Sequence, residues 1–317
     1  MSLHVFGAIV THHGCAANNR GESEGNITTL QKLLWKGQIH STVSAEAIRW
    51  AVRYFWQSRS LQVNRKWVDE KDDHEWQDQT WKGWVAEKSG DAGKSGEAGK
   101  DKTFLDDDLL GYMDAKAAKE EGDADGKKNK KGSTLKRRGV LEITRAVSTT
   151  PFAGDISFNS RSGVKGRTSL YGTEMHATRY QYGFAMTPER LRVKDRCIQA
   201  LDALSSLGEV AGNHSRFLYD FSPESVILRI TQDPAPRLLY CFEEADGSLT
   251  ASELVVKLNA GDIKPSELFI GGPIAAWEPL IKAMETEPGH LFAGVNLAFG
   301  QAKTVVQAAL KLPKSAE

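Results

Sequence analysis

The chain has 317 residues, enough for one large domain or two ordinary ones with a sizeable core. Its 41 basic and 41 acidic side chains cancel, so no overall charge points to nucleic acid. Three cysteines far apart in the sequence argue against a disulfide framework, and no apolar run reaches membrane length. We therefore expect a soluble, cytoplasmic protein in a reducing compartment.

The charge is unevenly distributed along the chain. Residues 67–126 hold 8 Lys/Arg against 18 Asp/Glu, whereas residues 136–196 hold 12 against 5. One segment is thus strongly acidic and the next distinctly basic, and the average conceals both.

The first 57 residues form the unit around which the rest is organised. A short apolar run over residues 3–10 predicts a buried strand, and a polar loop follows it. A helix is predicted to begin at Ser44, and its apolar positions recur at i, i+3, i+4 and i+7. These positions are Ile48, Ala51, Val52 and Phe55. Arg49 and Arg53 lie on a neighbouring face of this helix.

Residues 63–138 are predicted to be an insertion into the main domain. Tryptophan mixed with charge over residues 64–84 favours a small helical subdomain. Residues 86–102 lack aromatic residues and periodicity, which is typical of a flexible linker. An apolar island at 104–113 is followed by a second polar run. The fragment Gly93-Lys94-Ser95 is not a phosphate-binding loop, because Lys88 stands where that motif needs its first glycine.

The remaining residues predict an α+β domain. A strand is predicted at 139–148, and a glycine-rich basic arm follows at 149–172. Alternation over 174–186 favours a half-exposed strand, and Thr187-Pro188 favours the start of a helix whose apolar positions include Cys197 and Leu201. Further strands are predicted near 215–221, 225–231 and 237–243, and helices near 251–259, 274–286 and 301–311. Strand–helix–strand followed by strand–helix–strand is the order of a ferredoxin-like domain, the fold also used by RNA-recognition modules.

Few residues have the pattern expected of a catalytic or metal site. His12, His13 and Cys15 match no standard zinc spacing, and structural or RNA-facing histidines are the favoured interpretation. Between Thr11 and Ile27 the acids are Glu22 and Glu24, with no Asp. We expect no metal, no cofactor and no enzymatic activity.

Two sets of residues are candidates for binding nucleic acid. The amide and arginine side chains of the first loop either cap its own turns or donate to phosphates and base edges, and local sequence leaves both interpretations open. They are Asn18, Asn19, Arg20 and Asn26. The second set is basic and is concentrated in the first helix, in the arm and just after it, where a phosphate chain would need cations. Its members are Arg49, Arg53, Arg161, Lys165, Arg167 and Arg179.

Five segments in register resemble the DevR-type autoregulator family of CRISPR-associated proteins. They are HVFGAIVTHHGCAANNRGESEGNITTLQK, VSAEAIRWAVR, FLDDDLLGYM, HATRYQYGFAM and GNHSRFLYDF, and they extend from the N-terminus to about Phe221. Members of this family are the repeated backbone subunits of type I crRNA-guided surveillance complexes (Cascade), and this chain is most similar to the I-B branch.

The resemblance implies a hand-shaped, modified RNA-recognition (RAMP) fold that polymerises head-to-tail along a guide RNA. The palm would comprise residues 1–62, 139–147 and 173–317, the fingers 63–138 and the thumb 148–172. The residues implied to hold the RNA are the two sets above together with Ser44 and His176. The implied partners are crRNA, target DNA paired to the guide, further copies of the chain and other Cascade subunits, without a membrane.

Two features depart from that pattern. The finger insertion is acidic over 67–126, so we expect it to meet protein subunits or solvent, with the lysines at 127–131 as its only expected contact to DNA. The loop after the first strand lacks the aspartate with which related type III subunits cut RNA, and this favours a non-catalytic subunit. The alternatives are an RNA-processing or RNA-cleaving ribonuclease on the same fold and a transcriptional autoregulator, although no helix-turn-helix signature is evident.

Overall fold

A computed structural model of the chain describes residues 2–18, 20–85, 103–115, 134–160, 170–212 and 217–313. The strands are β1 (His4–Thr11), β2 (Gly14–Ala16), β3 (Arg20–Glu24), β4 (Ile27–Leu30), β5 (Lys32–Trp35), β6 (Gln38–Val43), β7 (Arg65–Val68), β8 (Asp73–Trp76), β9 (Gly111–Ala115), β10 (Thr134–Arg138), β11 (Leu141–Ile143), β12 (Ala146–Ser148), β13 (Asp155–Ser160), β14 (Leu170–Thr178), β15 (Tyr180–Met186), β16 (Pro223–Thr231), β17 (Glu243–Ala245), β18 (Ser248–Thr250), β19 (Leu268–Gly271) and β20 (Leu291–Phe292). The α-helices are α1 (Ala45–Ser58), α2 (Lys82–Val85), α3 (Leu105–Leu110), α4 (Arg196–Ser205), α5 (Ser252–Asn259), α6 (Glu278–Ala283) and α7 (Val295–Leu310).

The main sheet has β1 near its centre. Its strand order is β20-β19-β16-β1-β15-β12-β6-β5, with β11 also paired to β15. All neighbouring pairs are antiparallel except β19–β20. The strands predicted at 3–10 and 225–231 are confirmed, and so is the mixed α+β class.

One face of the main sheet packs against α1, α4 and α7. The apolar side chains of α1 that enter this core are Ile48, Ala51, Val52 and Trp56, while Phe55 lies at the core's edge. The elements β1, α1, β11 with β12, β15, α4 and β16 follow one another as βαββαβ, and their strands are ordered so that β1 lies between β15 and β16. The two crossover helices, α1 and α4, contact each other across this face.

The opposite face of the sheet is covered by the segment 238–284. Phe6, Ala8 and Val10 point into a second core that also holds Leu254 of α5 and Leu280 of α6. The prediction of a half-exposed strand over 174–186 is therefore wrong. That stretch is two strands, β14 and β15, which meet at Arg179. The face of β15 that carries Gln181 is closed, because the Gln181 amide donates to the Phe242 carbonyl at 2.9 Å.

A second sheet lies beside the main one, and we call it the arm sheet. Its order is β13-β14-β4-β3, with β2 also paired to β14. The prediction of a polar loop after β1 is wrong for most of its length, because this segment contains the strands β2 to β6. These short strands are held by partners distant in the chain, such as the parallel pair Gly172 and Ile27, and local periodicity cannot reveal such partners.

The described part of the segment 63–138 contains hairpins more than helices. The prediction of a small helical subdomain at 64–84 is wrong, because β7 and β8 pair as an antiparallel hairpin with α2 after it. The apolar island at 104–113 becomes α3 followed by β9, which pairs with β10. The linker predicted at 86–102 lies outside the described residues.

Most later elements follow the predictions with shifted boundaries, but the strand predicted near 215–221 is wrong, because residues 218–221 are not in a strand. The helix expected from Pro188 begins at Arg196, after a 3-10 turn at Pro188–Arg190. The strand predicted at 237–243 is wrong, since β17 begins only at Glu243. The three C-terminal helices are present as α5, α6 and α7. Among the described residues, no helix is both long and apolar enough to cross a membrane.

Candidate nucleic-acid interface

The residues predicted to contact RNA fall in three places. Asn18, Arg20, Asn26 and His176 lie on or beside the arm sheet. Ser44, Arg49 and Arg53 belong to α1 or its cap, and Arg179 lies where β14 meets β15. Asn19, Arg161, Lys165 and Arg167 lie outside the described residues.

The arm sheet joins the first polar loop to the basic arm. Asn26 is exposed in the turn between β3 and β4, and its carbonyl accepts a hydrogen bond from the Gly172 amide at 2.8 Å. Arg20 begins β3 opposite Leu30. Glu174 of β14 accepts from the Leu30 amide and from Lys32 Nζ, each at 2.7 Å. The loop and the arm are therefore one hydrogen-bonded body, although about 140 residues separate them.

Asn18 is buried at the base of the arm sheet. Its side chain is 1% exposed, and Nδ2 donates to the Val210 carbonyl at 2.6 Å. Its Oδ1 is buried and has no hydrogen-bond partner among the described residues. The donor of Asn18 thus ties β2 and the following chain to the segment after α4.

His176 is held inside a polar network at the junction of the two sheets. Ser41 Oγ lies 2.7 Å from His176 Nδ1 and 2.9 Å from the Tyr180 hydroxyl, and Nε2 lies 3.1 Å from the Pro151 carbonyl. Since a carbonyl only accepts, Nε2 carries the proton and Nδ1 accepts from Ser41. Burial lowers the pKa of His176 to about 4, so the ring is neutral at neutral pH.

The Ser41–His176 pair resembles a nucleophile and its general base, but neither side chain is accessible. Ser41 is fully buried and His176 is 4% exposed. A nucleophile must meet its substrate as well as its base. This pair therefore acts as an internal clamp between β6 and β14.

Arg179 forms an internal bridge. Its guanidinium contacts both oxygens of Glu224, at 2.5 and 3.1 Å, and Glu244 Oε1 at 2.6 Å. These two carboxylates raise the pKa of Arg179. The bridge fixes the bend between β14 and β15 to β16 and to β17, and so sets the direction in which the arm leaves the main sheet.

The first helix is capped by Ser44 and carries two partly buried arginines. Ser44 Oγ accepts from the Ala47 amide at 3.2 Å, which is the expected role of serine at this position. Arg49 donates to the Leu110 carbonyl at 2.5 Å, and Arg53 Nε donates to Asp106 Oδ2 at 3.0 Å. Both contacts reach α3, which therefore lies against α1.

Four arginines line a cavity of ≈ 520 Å³ between α1 and the segment 63–138. Arg49 and Arg53 come from α1, Arg65 from β7 and Arg137 from β10. We call it the four-arginine cavity. Sequence analysis missed Arg65 and Arg137, because nothing in the local sequence relates them to α1. The signal that existed was the basic run ending at Arg138 after the acidic segment.

Three consecutive aspartates of α3 are buried next to this cavity. Asp106, Asp107 and Asp108 are at most 3% exposed. Burial, reinforced by Asp106, raises the pKa of Asp107 to about 7. Part of the acidity of the insertion is thus internal and adds nothing to its exposed charge.

His12, His13 and Cys15 are exposed beside β2. Within the described part of the chain no three His, Cys, Asp or Glu side chains are grouped as a metal site would require. Burial raises the pKa of the Cys15 thiol, which disfavours the thiolate that nucleophilic chemistry needs.

The comparisons with known proteins agree with one another. Residues 6–245 match the family described as "CRISPR-associated negative auto-regulator DevR/Csa2". A relative from Myxococcus xanthus (strain DK1622), "CRISPR-associated protein Cas7/Cst2/DevR", is 47% identical over 310 residues, which cover 95% of this chain and 94% of the relative.

Solved structures share the fold at low sequence identity. A chain of a "CRISPR RNA-guided surveillance complex, pre-nicking" has a TM-score of 0.55 at 11% identity, covering 96% of this chain and all of that one. A chain of a second "CRISPR RNA-guided surveillance complex" has a TM-score of 0.51 at 12% identity over 95% of this chain and all of that one. The family match and the 47% identical relative show that the chain belongs to the DevR/Csa2 family of CRISPR-associated proteins.

Proposed function

We propose that this protein is the crRNA-binding backbone subunit of a type I Cascade, most similar to the I-B branch. Copies of it polymerise head-to-tail along the guide in the cytoplasm and present the guide for pairing with target DNA. The subunit is not an enzyme. Family membership and the fold shared with chains of RNA-guided surveillance complexes support this assignment.

The observation that carries the proposal is the arm sheet. Asn26, the backbone of Arg20 and the base of the arm belong to one hydrogen-bonded sheet beside the main sheet. Residues 148–172 then act as the thumb, and residues 63–138 as the fingers. The βαββαβ part of the main sheet acts as a ferredoxin-like palm. Arg161, Lys165 and Arg167 add positive charge to the thumb.

The coverage of the main sheet explains how such a subunit can bind a guide RNA whatever its base sequence. RNA-recognition modules read bases by stacking them on an open sheet face. Here that face is closed by α5 and α6. We therefore propose that the guide runs along the arm sheet and α1. Contacts there would be to phosphate and sugar, which suits a subunit that holds any spacer.

The exposed arm also offers a contact to the next copy. Phe158 is 74% exposed and Leu170 is 64% exposed. They lie on the same face, because Phe158 is opposite Gly172 in the β13–β14 pair and Leu170 is two residues before it. An exposed apolar pair at the edge of the arm sheet suits a heterologous contact of the kind that forms filaments.

The test is binding of the purified chain to guide RNAs with unrelated spacers. We expect equal affinities, a steep dependence on salt, and an equal loss for every spacer when Arg20→Ala is introduced. Ser23→Ala, in the same strand, is the control and should leave affinity unchanged. Affinities that differ strongly between spacers would contradict recognition of the backbone.

A further inference from the structure

We propose that a second cavity, between α1 and the segment 206–212, is a docking site for a segment of another protein that carries a lysine or arginine beside an apolar side chain. We call this cavity the aromatic groove. Its volume is ≈ 720 Å³, and it shares no lining residue with the four-arginine cavity. The inference goes beyond the binding of guide RNA and concerns a partner protein.

The first argument is the aromatic lining of the groove. Four of the described lining residues are aromatic and come from α1 and β7, namely Trp50, Tyr54, Phe55 and Trp67. The segment 206–212, which follows α4, supplies mostly small residues. Tyr54 is 38% exposed, and the other three rings are half-buried. A groove of this volume can hold a few side chains of a partner, and exposed tryptophan and tyrosine are typical of protein interfaces.

The second argument is that the rings are already fixed. Trp50 Nε1 donates to His74 Nε2 at 3.1 Å, and the Trp67 backbone exchanges two hydrogen bonds with the Gln57 side chain, each at 2.7 Å. The rings of Trp50 and Trp67 meet edge to face with centres 5.7 Å apart, and Tyr54 stacks on Trp50 at 5.2 Å. A partner therefore meets aromatic faces that are ordered before it binds, which lowers the entropic cost of docking.

The third argument is the charge of the groove. The described residues that line it include two carboxylates, Asp69 and Glu209, and no lysine, arginine or histidine. Asp69 Oδ1 accepts from Trp67 Nε1 at 2.9 Å. Glu209 is exposed, and within the described residues its carboxylate has no hydrogen bond or ion pair. Two acids beside aromatic faces attract a cationic side chain and repel the phosphates of nucleic acid.

Arg59 shows the same chemistry within this chain. Its guanidinium lies 4.5 Å from the centre of the Phe55 ring. A cation over an aromatic face is stabilised by the charge distribution of the ring, most strongly by that of tryptophan. Among the described residues no cation lies over Trp50 or Trp67. A lysine or arginine of a partner can take such a position while a neighbouring apolar side chain fills the groove.

We place the occupant on a different protein, because the cations of this chain's own arm have another role. They are Arg161, Lys165 and Arg167, and the proposed function assigns them to the guide RNA. In this one respect the inference rests on the proposed function. Docking of a second copy is an outcome that the experiment below separates.

The probe is a library of short random peptides displayed on phage and selected against the purified full chain. We expect the enriched peptides to carry lysine or arginine next to leucine or an aromatic residue. The most enriched peptide is then synthesised with a fluorescent label, together with a counterpart in which glutamate replaces each basic residue. Fluorescence polarisation should show binding of the basic peptide, weakened by salt, and no binding of the acidic one.

Matched variants assign the peptide to the groove. Glu209→Lys and Asp69→Lys reverse exposed charges in the groove, and Glu285→Lys is the control at an exposed position outside it. We expect each groove variant to bind the basic peptide at least about tenfold more weakly and the control to bind it unchanged. Tyr54→Ala should lose a similar factor, whereas Leu34→Ala, which removes an exposed side chain outside the groove, should lose none. Thermal melting checks that every variant folds.

The inference is overturned if no peptide is enriched, if the enriched peptides are acidic, or if groove and control variants bind alike. Self-association of the wild-type chain that Glu209→Lys abolishes, measured by sedimentation, would assign the groove to a second copy and overturn it as well. Guide RNA is titrated separately, and Glu209→Lys should bind it no more weakly than wild type. Failure of the peptide test alone leaves the proposed function standing, whereas failure of the wild-type chain to bind any guide RNA would remove the proposed function itself.

Discussion

The main sheet and the insertion segment 63–138 differ in how far their packing depends on buried charge. The main sheet is stabilised by apolar side chains on both faces, such as Ile9 on one face and Ile227 on the other, which are fully buried. The described part of the insertion is attached through α3, whose leucines enter the core. In addition, buried Asp106 of α3 binds Arg53, and buried Asp108 binds Arg137 and Arg196. Truncation of a side chain in a hydrophobic core lowers the stability in proportion to the volume lost. Removal of one partner of a buried ion pair is strongly destabilising, because it leaves the other charge buried and uncompensated.

Asp108 should show this difference most strongly. Its carboxylate is fully buried and accepts from Arg137 at 2.6 Å, Arg196 at 2.8 Å and the amides of Arg192 and Val193. Asp108→Ala removes the acceptor for all of these donors. We expect it to lower the free energy of unfolding by about 3–5 kcal/mol.

The measurement is chemical denaturation followed by tryptophan fluorescence, because the insertion carries several indole rings. Asp262→Ala is the control, since Asp262 is exposed and forms only a long surface ion pair of 4.0 Å with Arg237. It should change stability by no more than about 0.5 kcal/mol. Equal effects of the two changes would show that α3 does not anchor the insertion.

A larger side chain in the core of the main sheet should lower the stability of the protein. Gly7 of β1 lies opposite Phe184, and a Cβ at Gly7 would lie 2.1 Å from Cε1 of that buried ring. Gly7→Ala therefore overpacks the core, and we expect a loss of about 1–3 kcal/mol. Thermal melting of the variant against wild type measures it.

The same methyl group placed on α7 should have the opposite effect. Nothing lies within 4 Å of a Cβ built at Gly300, which is inside that helix. Gly300→Ala should stabilise by about 0.5–1 kcal/mol through helix propensity. A destabilising Gly300→Ala, or a neutral Gly7→Ala, would contradict the packing described for these two elements.

The last expected effect concerns pH. Burial raises the pKa of Asp107 from about 3.8 to about 7, against hydrogen bonds from Trp81 and Asn64 that favour the charged form. The folded protein holds this proton more tightly than the unfolded chain does. Its stabilising contribution is thus complete below about pH 4 and is lost as the pH rises through about 7.

Asp107→Asn should remove this dependence while keeping an acceptor for Trp81. The difference in unfolding free energy between wild type and variant should move against wild type by about 2–3 kcal/mol from pH 5 to pH 8. Denaturation of both proteins across that range measures the difference. A constant difference would mean that Asp107 titrates normally.

The elements of the main sheet were predictable because their signals are local. The apolar run of β1 and the spacing of Ile48, Ala51 and Val52 in α1 report burial directly. The arm sheet was not predictable in the same way. β3 and β4 are short and polar, and they are ordered by pairing with β14 far along the chain.

The candidate interface shows the same division. Arg49 and Arg53 could be proposed as RNA-binding residues because they share one helix face. The sequence did not indicate that Asp106–Asp108 are buried. Buried aspartates are rare, so an acidic insertion is expected to be exposed to solvent. Arg179 looked like a free cation and is bound by Glu224 and Glu244, which come from later segments. Partners of buried charges are a property of the tertiary structure.

The central claim is tested most directly by purifying the protein from its native host and sequencing the RNA that remains bound. The account predicts CRISPR spacer–repeat RNAs of defined length, protected from nuclease, with many different spacers represented. Absence of bound RNA, or only fragments cut at one position of the repeat, would contradict a backbone subunit and favour a regulator or a ribonuclease instead.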